Sequence, residues 1–191
     1  MTEKPLKVVL LRSVLWRRRD EPAMQYSRFQ EFAEGYIIDG RVLTVLSGQP
    51  AEIHYSVICD RAWQTQHAYA AIYQGTSTRQ LLLRRDEQNQ WWRGEERLPD
   101  LDGIVDVDLA LTPSTNTLPI RRLNLAVGES KSTDAAWVRF PELTIERQHQ
   151  RYTRGAAHRY RFEIDGGAFT AELEVDETGV VIRYEDLWER V

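Results

Sequence analysis

Hydrophobic and polar positions alternate with a period of two along most of the chain. In residues 157–165 the aromatic and aliphatic side chains share one face, and the charged side chains share the other. The same alternation returns in residues 168–176, directly after Gly166-Gly167. Such alternation is typical of β-strands with one buried face, and Gly-Gly suits the positive φ angles of a tight turn. The pattern predicts a β-hairpin over residues 157–176.

Charge and hydrophobicity together predict one register for this hairpin. Arg161 would lie opposite Glu172 on the charged face, and Phe162 would lie opposite Ala171 on the apolar face. Matched cross-strand pairs each contribute roughly 0.2–1 kcal/mol. A slip by one residue would lose both sets of pairs. The same register places Arg159 opposite Glu174 and Tyr160 opposite Leu173.

Similar patterns predict strands elsewhere and very little helix. Asp39-Gly40 indicates a second hairpin between residues 36–38 and 41–43. The best helix candidate is residues 115–123, where Asn116 or Thr117 could cap the first turn. Further strands are predicted over residues 8–17, 25–34, 52–60, 68–74, 80–85, 105–111, 135–140, 143–152 and 179–184.

About a dozen short strands with tight turns predict a barrel, roll or sandwich. No repeat, low-complexity stretch or linker interrupts the pattern, so a single domain over residues 1–191 is expected. The sequence is 42% hydrophobic and 28% charged, which is ordinary for a folded protein and unlike a disordered one.

Charge and cysteine content narrow the functional classes. The net charge is only -4, without the basic excess of a general nucleic-acid binder. Cys59 is the single cysteine, so no internal disulfide forms and a cytoplasmic location is expected. Apolar runs are far shorter than the roughly 20 residues of a spanning helix, so stable membrane insertion is not expected.

Residues 101–125 hold the densest set of candidate functional groups. Alternate apolar positions from Val105 to Leu111 predict a strand face that packs inward, with Asp106 and Asp108 pointing together to the opposite face. Arg121 and Arg122 follow within the helix candidate. Three interpretations stay open: a structural ion-pair network, a polar recognition cluster at the mouth of a cavity, and a catalytic or metal site. Metal binding is the weakest, since no histidine is near in sequence.

Other polar and aromatic groups allow two interpretations each. Residues 147–161 hold five arginines and no acid, which suits either an anion-binding patch or cross-strand ion pairs. Trp63, Trp137 and the pair Trp91-Trp92 suit either core packing or a ligand pocket. His158 falls on the apolar face of its predicted strand, which indicates a core histidine. The sequence contains no recognisable cofactor or nucleophile motif.

The string DLDGIVDVDLALTPSTNTLPIRRLNL resembles the signature of a bacterial family labelled as glycolipid-binding. The later strings AAWVRFPELTIERQHQRYTR, YRFEIDGGAFTAELEVDETGVVIRY and LWERV also resemble it. The resemblance covers most of the chain from about Glu52 onward. It implies a mostly β fold, an antiparallel spiral β-roll or partly open barrel with one or two short helices. It also implies an apolar cavity like that of periplasmic carriers of lipoproteins.

The favoured hypothesis is non-enzymatic binding of a lipid or glycolipid in an apolar cavity within the rolled sheet. Burying methylene groups would supply affinity, at about 0.8 kcal/mol each. One alternative is a hydrolase that uses the paired carboxylates on a glycan or lipid ester. Another is an interaction module without a small ligand. The predicted ligand-binding residues are Asp106, Asp108, Asn116, Arg121 and Arg122 for polar contacts, with Trp92 and Tyr160 on the apolar wall.

Overall fold

The computed structural model describes residues 7–191, and its strands form one 15-stranded sheet. The strands are β1 (Val9–Arg18), β2 (Met24–Phe32), β3 (Gly35–Leu46), β4 (Gln49–Asp60), β5 (Thr65–Gln74), β6 (Ser77–Arg85), β7 (Trp91–Arg93), β8 (Glu96–Arg97), β9 (Asp106–Leu109), β10 (Ser130–Arg139), β11 (Thr144–Ala156), β12 (Arg159–Ile164), β13 (Phe169–Val175), β14 (Val181–Tyr184) and β15 (Trp188–Arg190). Within the described residues, helix is limited to 3-10 turns at Pro99–Leu101 and Ser114–Asn116, and to α1 (Thr117–Leu123).

The order of strands in the sheet is β8-β7-β6-β5-β4-β3-β2-β1-β15-β14-β13-β12-β11-β10-β9. Neighbours in the sheet are neighbours in sequence except where β1 meets β15, so the first and last strands lie side by side at the centre. Every pairing is antiparallel except that of β9 with β10, which is parallel. The sheet is not closed into a barrel, and β8 and β9 are its edges. The predicted mostly β, partly open roll is confirmed.

The sheet curls until distant strands touch. β5 and β9 are separated by ten strands in the sheet order, yet Thr65 of β5 contacts the β9 segment. The backbone N–H of Thr65 donates to the carbonyl of Val105 at 2.9 Å, and its Oγ1 accepts from the N–H of Val107 at 3.2 Å. The curled sheet thus has an inner face and an outer face.

The inner face can be followed through the strand registers, because residues directly opposite each other share a face. Ile53 lies opposite Val42, Val42 opposite Gln25, and Gln25 opposite Trp16, and all four are buried. Farther round, Tyr152, Phe162 and Ala171 continue the face through β11, β12 and β13.

The chain itself fills much of the space that the inner face encloses. Residues 111–120, which we call the interior segment, run between β9 and β10 and are all buried. The segment includes the second 3-10 turn and the first four residues of α1, with Leu118 and Thr117 completely enclosed. The helix predicted over residues 115–123 is confirmed, but its cap differs. The Asn116 side chain makes no capping hydrogen bond.

The hairpin at Gly166-Gly167 is confirmed with the predicted register. Arg161 lies opposite Glu172, and Phe162 opposite Ala171. The predicted cross-strand ion pair does not form. Arg161 instead lies 3.5 Å from Glu163 of its own strand. Long, exposed side chains can pair with charges along the same strand or on the neighbouring strand. The strand register alone therefore does not determine which ion pair forms.

The hairpin predicted at Asp39-Gly40 is wrong, because β3 runs without interruption from Gly35 to Leu46. A Cβ atom at Gly40 would lie 2.5 Å from the Tyr55 hydroxyl and 2.7 Å from Ser27 Oγ. The glycine therefore allows close approach of buried polar side chains, a recognised role of glycine within a strand. The turn lies instead at Ser47-Gly48, where both φ angles are positive.

Within residues 7–191, no helix is long and apolar enough to cross a lipid bilayer.

Candidate functional site

Asp106 and Asp108 share a face of β9, as predicted, but that face is the inner one. Asp106 lies beside Ala135 in the parallel pairing, and Ala135 lies opposite Gln148, whose strand also carries Gln150 and Tyr152 on the inner face. The prediction that the aspartates point away from the interior is therefore wrong.

Val107 and Leu109 are buried too, on the opposite side of β9. Residues 99–102 cover that side. Arg147 of β11 donates to the carbonyl oxygens of Asp100 and Asp102 at 2.9 Å and 3.0 Å. Because both faces of β9 are covered, its apolar stripe does not reveal which face is the inner one.

Asp106 is committed to an ion pair with the helix. Arg122 of α1 donates from Nε to Oδ1 at 3.0 Å and from Nη2 to Oδ2 at 2.5 Å, and Thr133 Oγ1 adds a bond at 3.3 Å. Burial raises the pKa of the Asp106 carboxyl, while the Arg122 guanidinium opposes that shift. The pair anchors α1 to β9, which fits the structural ion-pair interpretation.

Asp108 has neutral partners only. Gln150 Nε2 donates to Oδ2 at 2.6 Å, and Thr115 Oγ1 donates to Oδ1 at 3.2 Å. Among residues 7–191 no basic side chain lies within 4.0 Å of this carboxylate. Burial raises the pKa of Asp108 to about 6, and the nearby charge of Asp106 adds to the shift. The two aspartates therefore have different environments and different roles.

Asn116 holds the interior segment against β11. Its side-chain oxygen accepts from the Tyr152 hydroxyl at 2.9 Å, and its Nδ2 donates to the carbonyl of Pro113 at 3.3 Å. In α1, Arg121 and Arg122 point to different places. Arg122 faces Asp106, while Arg121 reaches the surface.

A second polar cluster fixes the segment to the other half of the sheet. Gln25 Nε2 donates to the Tyr55 hydroxyl at 2.8 Å and to Thr112 Oγ1 at 2.5 Å, and Tyr55 contacts Ser114 at 2.9 Å. Ser27 Oγ lies 2.6 Å from the same hydroxyl. Thr112 and Ser114 of the interior segment thus have hydrogen-bond partners on the wall of the roll, while Oε1 of Gln25 accepts no hydrogen bond from residues 7–191.

Two of the predicted site residues meet in an open cleft at the end of the roll, which we call the mouth cleft. Arg121 and Tyr160 both line it, and its volume is about 290 Å³. Its other lining residues come from the β4–β5 turn, the β11–β12 turn, the end of α1 and the β13–β14 turn. The main ones are Trp63, Asn124, Arg154, His158, Asp176 and Gly179.

One wall of the mouth cleft belongs to a stack in which two aromatic rings lie between two guanidinium groups. The Trp63 indole stacks on the Tyr36 ring with centroids 4.0 Å apart and planes inclined by 12°. The Arg121 guanidinium lies 5.2 Å from the Trp63 ring, and Arg61 lies 5.4 Å from the Tyr36 ring. Trp63 has a φ of 63°, a strained conformation for a bulky side chain. This position of a three-residue hairpin loop requires a positive φ, and Asn89 occupies the equivalent position of a second such turn with a φ of 58°.

The facing wall is built on Tyr160 and Arg154. The Arg154 guanidinium lies 5.6 Å from the Tyr160 ring and donates to the carbonyl oxygens of Leu125 and Ala157, both at 2.7 Å. His158 lies in the turn beside them and is exposed, so the prediction of a core histidine is wrong. The alternation ends at this turn, because β12 begins only at Arg159.

The floor of the mouth cleft includes an acidic turn. Burial alone would raise the pKa of Asp176, but hydrogen bonds from Thr178, Arg190 and the N–H of Val180 lower it overall. Arg190 lies 2.8 Å from the carboxylate, and Arg12 contacts it as well.

Trp92 lies on the outer face, away from the mouth cleft. Its Nε1 donates to Asp86 at 2.7 Å, and Arg84 stacks 5.4 Å from its ring. Its neighbour Trp91 is the enclosed one, with Nε1 donating to the carbonyl of Ile104 at 2.9 Å. Sequence places the two tryptophans on opposite faces but does not say which face is inside.

The grouping of Trp63, Asn124 and Arg154 was not predicted. Trp63 and Arg154 were only separate members of an aromatic set and an arginine-rich stretch, and Asn124 gave no signal. Residues 7–191 contain no cluster of three or more His, Cys, Asp or Glu side chains suited to a metal ion.

Residues 13–190 match the model of the family described as "Putative glycolipid-binding". The chain belongs to this family. A solved structure of a DUF1089 family protein from Pseudomonas aeruginosa is similar, with 33% sequence identity and a TM-score of 0.81. The match covers 92% of this chain and 95% of that one. No curated protein matches the chain. The family description names glycolipid binding, and the resemblance seen in the sequence is confirmed.

Proposed function

We propose that this protein binds the sugar headgroup of a glycolipid in the mouth cleft, without catalysing a reaction on it. The main support for this proposal is the position of Trp63 at the cleft. Its backbone has a strained positive φ, and its indole is stacked between Tyr36 and Arg121. Strain of this kind costs of order 1–3 kcal/mol and is concentrated at functional sites. Because Tyr36 and Arg121 pack on its two faces, the indole offers its edge to a ligand, beside the hydrogen-bonding groups of the cleft that a sugar could contact.

The size of the mouth cleft favours a headgroup over a whole lipid. A volume of about 290 Å³ is at the lower end of the range for small-molecule sites, which suits a small headgroup better than a whole lipid. The acyl-chain cavity implied by the resemblance would have to occupy space inside the roll, where the interior segment is packed. Recognition at the mouth of the roll would leave the acyl chain outside it.

The contacts of the aspartates disfavour the hydrolase alternative. A glycosidase of the usual type needs two carboxyl groups free to act on the substrate. Asp106 is occupied by Arg122 and Thr133, and it is 1% exposed. An interaction module without a small ligand explains the filled interior equally well, but it gives no reason for a tryptophan at a loop position that favours glycine or asparagine.

The test compares binding of a short-chain glycolipid and of its free glycan to the wild type and to Trp63→Asn. Asparagine tolerates positive φ, so this variant removes the ring without adding backbone strain. We expect the affinity for both ligands to fall by about tenfold, which corresponds to about 1.4 kcal/mol. Isothermal titration calorimetry would measure it.

Trp92→Ala is the matched control, since Trp92 also stacks with an arginine but lies on the outer face. Its affinity should equal that of the wild type. Loss of binding in Trp92→Ala but not in Trp63→Asn would place the site elsewhere, and absence of glycan binding by the wild type would overturn the proposal.

A further inference from the structure

The two arginines that face the mouth cleft have no acidic partner. Within residues 7–191, no carboxylate lies within 4.0 Å of Arg121 or Arg154. Arg121 contacts the Trp63 ring and, at 3.5 Å, the carbonyl of Thr178. Arg154 is oriented by the Tyr160 ring and by two backbone carbonyl oxygens. Both positive charges are therefore held in place by neutral groups.

The acids on the floor of the cleft do not neutralise these charges, because they have arginines of their own. Asp176 is bound by Arg12 and Arg190, and Glu177 lies 2.9 Å from Arg12. The two negative charges of these acids are thus neutralised by the two positive charges of Arg12 and Arg190. Arg121 and Arg154 remain as the excess charge of the cleft, although the chain as a whole is net acidic.

We infer that the mouth cleft selects glycolipids whose headgroup carries a phosphate or carboxylate group. The inference rests on the proposed function and adds the charge of the ligand. Arg121 is exposed and can form paired hydrogen bonds to an anionic group, as guanidinium does with both phosphate and carboxylate. Arg154, which its hydrogen bonds hold in place, contributes a fixed positive charge to the facing wall of the cleft.

The experiment uses two glycolipids that share the same sugar and acyl chains and differ only by one phosphate on the sugar. Binding of each is measured in detergent solution at low and moderate salt. We expect the wild type to bind the phosphorylated form at least about tenfold more tightly than the neutral form. The ratio of the two affinities should decrease as the salt concentration rises. Inorganic phosphate and the free sugar phosphate are measured alongside, to separate a lipid headgroup from a free anion.

Arg121→Gln should reduce the affinity for the phosphorylated form by about tenfold more than it reduces the affinity for the neutral form, because only the phosphorylated form loses a charged partner. Arg154→Lys keeps the charge of the facing wall and should retain most of the preference. Arg151→Gln is the control, since this exposed residue on the same strand as Arg154 does not line the cleft. It should behave as the wild type.

The outcomes separate this inference from the proposed function. Equal binding of both glycolipids would overturn the charge selection and leave headgroup binding intact. Binding of neither would overturn both. Inorganic phosphate binding as tightly as the phosphorylated glycolipid would overturn the lipid assignment, and a full preference in Arg121→Gln would overturn the role of Arg121.

Discussion

At the scale of single residues, two aspartates that are identical in sequence pattern have opposite electrostatic surroundings. Asp106 faces a guanidinium, whereas Asp108 faces the amide of Gln150 and the hydroxyl of Thr115. A buried carboxylate without a cation is costly to ionise, so its pKa rises. Burial accordingly raises the pKa of the Asp108 carboxyl from its usual value near 3.8 to about 6.

This raised pKa predicts a specific pH dependence of stability. Between about pH 4 and pH 6 the folded protein binds a proton at Asp108 that the unfolded chain has already released. The free energy of unfolding contributed by this residue therefore decreases as pH rises through that window and stays reduced above it. Asp108→Asn removes the effect. The difference in free energy of unfolding between the variant and the wild type should therefore shift by about 2–3 kcal/mol in favour of the variant from pH 4 to pH 7.

Urea denaturation of both proteins from pH 4 to pH 8 measures this gain. Asp186→Asn is the control, because that carboxylate is 90% exposed. Its curve should run parallel to that of the wild type. A parallel curve for Asp108→Asn would show instead that Asp108 ionises as an exposed carboxyl does.

At the scale of elements, β3 shows how a tertiary contact can decide whether a strand turns or continues. Asp39-Gly40 has the composition of a hairpin turn, yet the strand continues through it. The backbone of Gly40 instead gives room to the Tyr55 hydroxyl and Ser27 Oγ, which belong to the cluster that holds the interior segment.

Gly40→Ala should therefore destabilise the protein by about 2–4 kcal/mol, since the methyl group overlaps a buried hydrogen-bond cluster. Chemical denaturation would measure the loss. Gly155→Ala is a matched control in β11, because nothing lies within 4 Å of the added Cβ and its φ is not positive. The control should change stability by less than about 1 kcal/mol. Similar values for both variants would contradict this account of Gly40.

At the scale of the whole molecule, the curled sheet depends on contacts between strands that are far apart in the sheet order. Thr65 forms hydrogen bonds with Val105 and Val107, and Trp91 forms one with Ile104. The interior segment connects the two halves of the sheet. Such contacts close long loops of chain, so forming them costs more conformational entropy than forming a hairpin does.

Thr65→Val tests this closure. Valine keeps the shape of threonine but removes the acceptor of the Val107 N–H. The free energy of unfolding should fall by about 1–3 kcal/mol, and amide exchange should speed up first in β9. Thr78→Val, at an exposed position of β6, should have little effect on either measurement. Unchanged exchange in β9 would show that Thr65 does not hold the roll together.

The sequence alone determined the local structure: the alternation that defines most strands, the register of the Gly166-Gly167 hairpin, the short helix, and the family. These depend on neighbouring residues, whose geometry is fixed by backbone periodicity and turn chemistry. Only the tertiary structure decided that the interior segment fills the roll, that Trp91 rather than Trp92 is enclosed, and that Trp63, Arg121, Arg154 and Tyr160 form one cleft. Those arrangements depend on how far a 15-stranded sheet curls and on which face closes inward, and a two-residue period is the same for both faces.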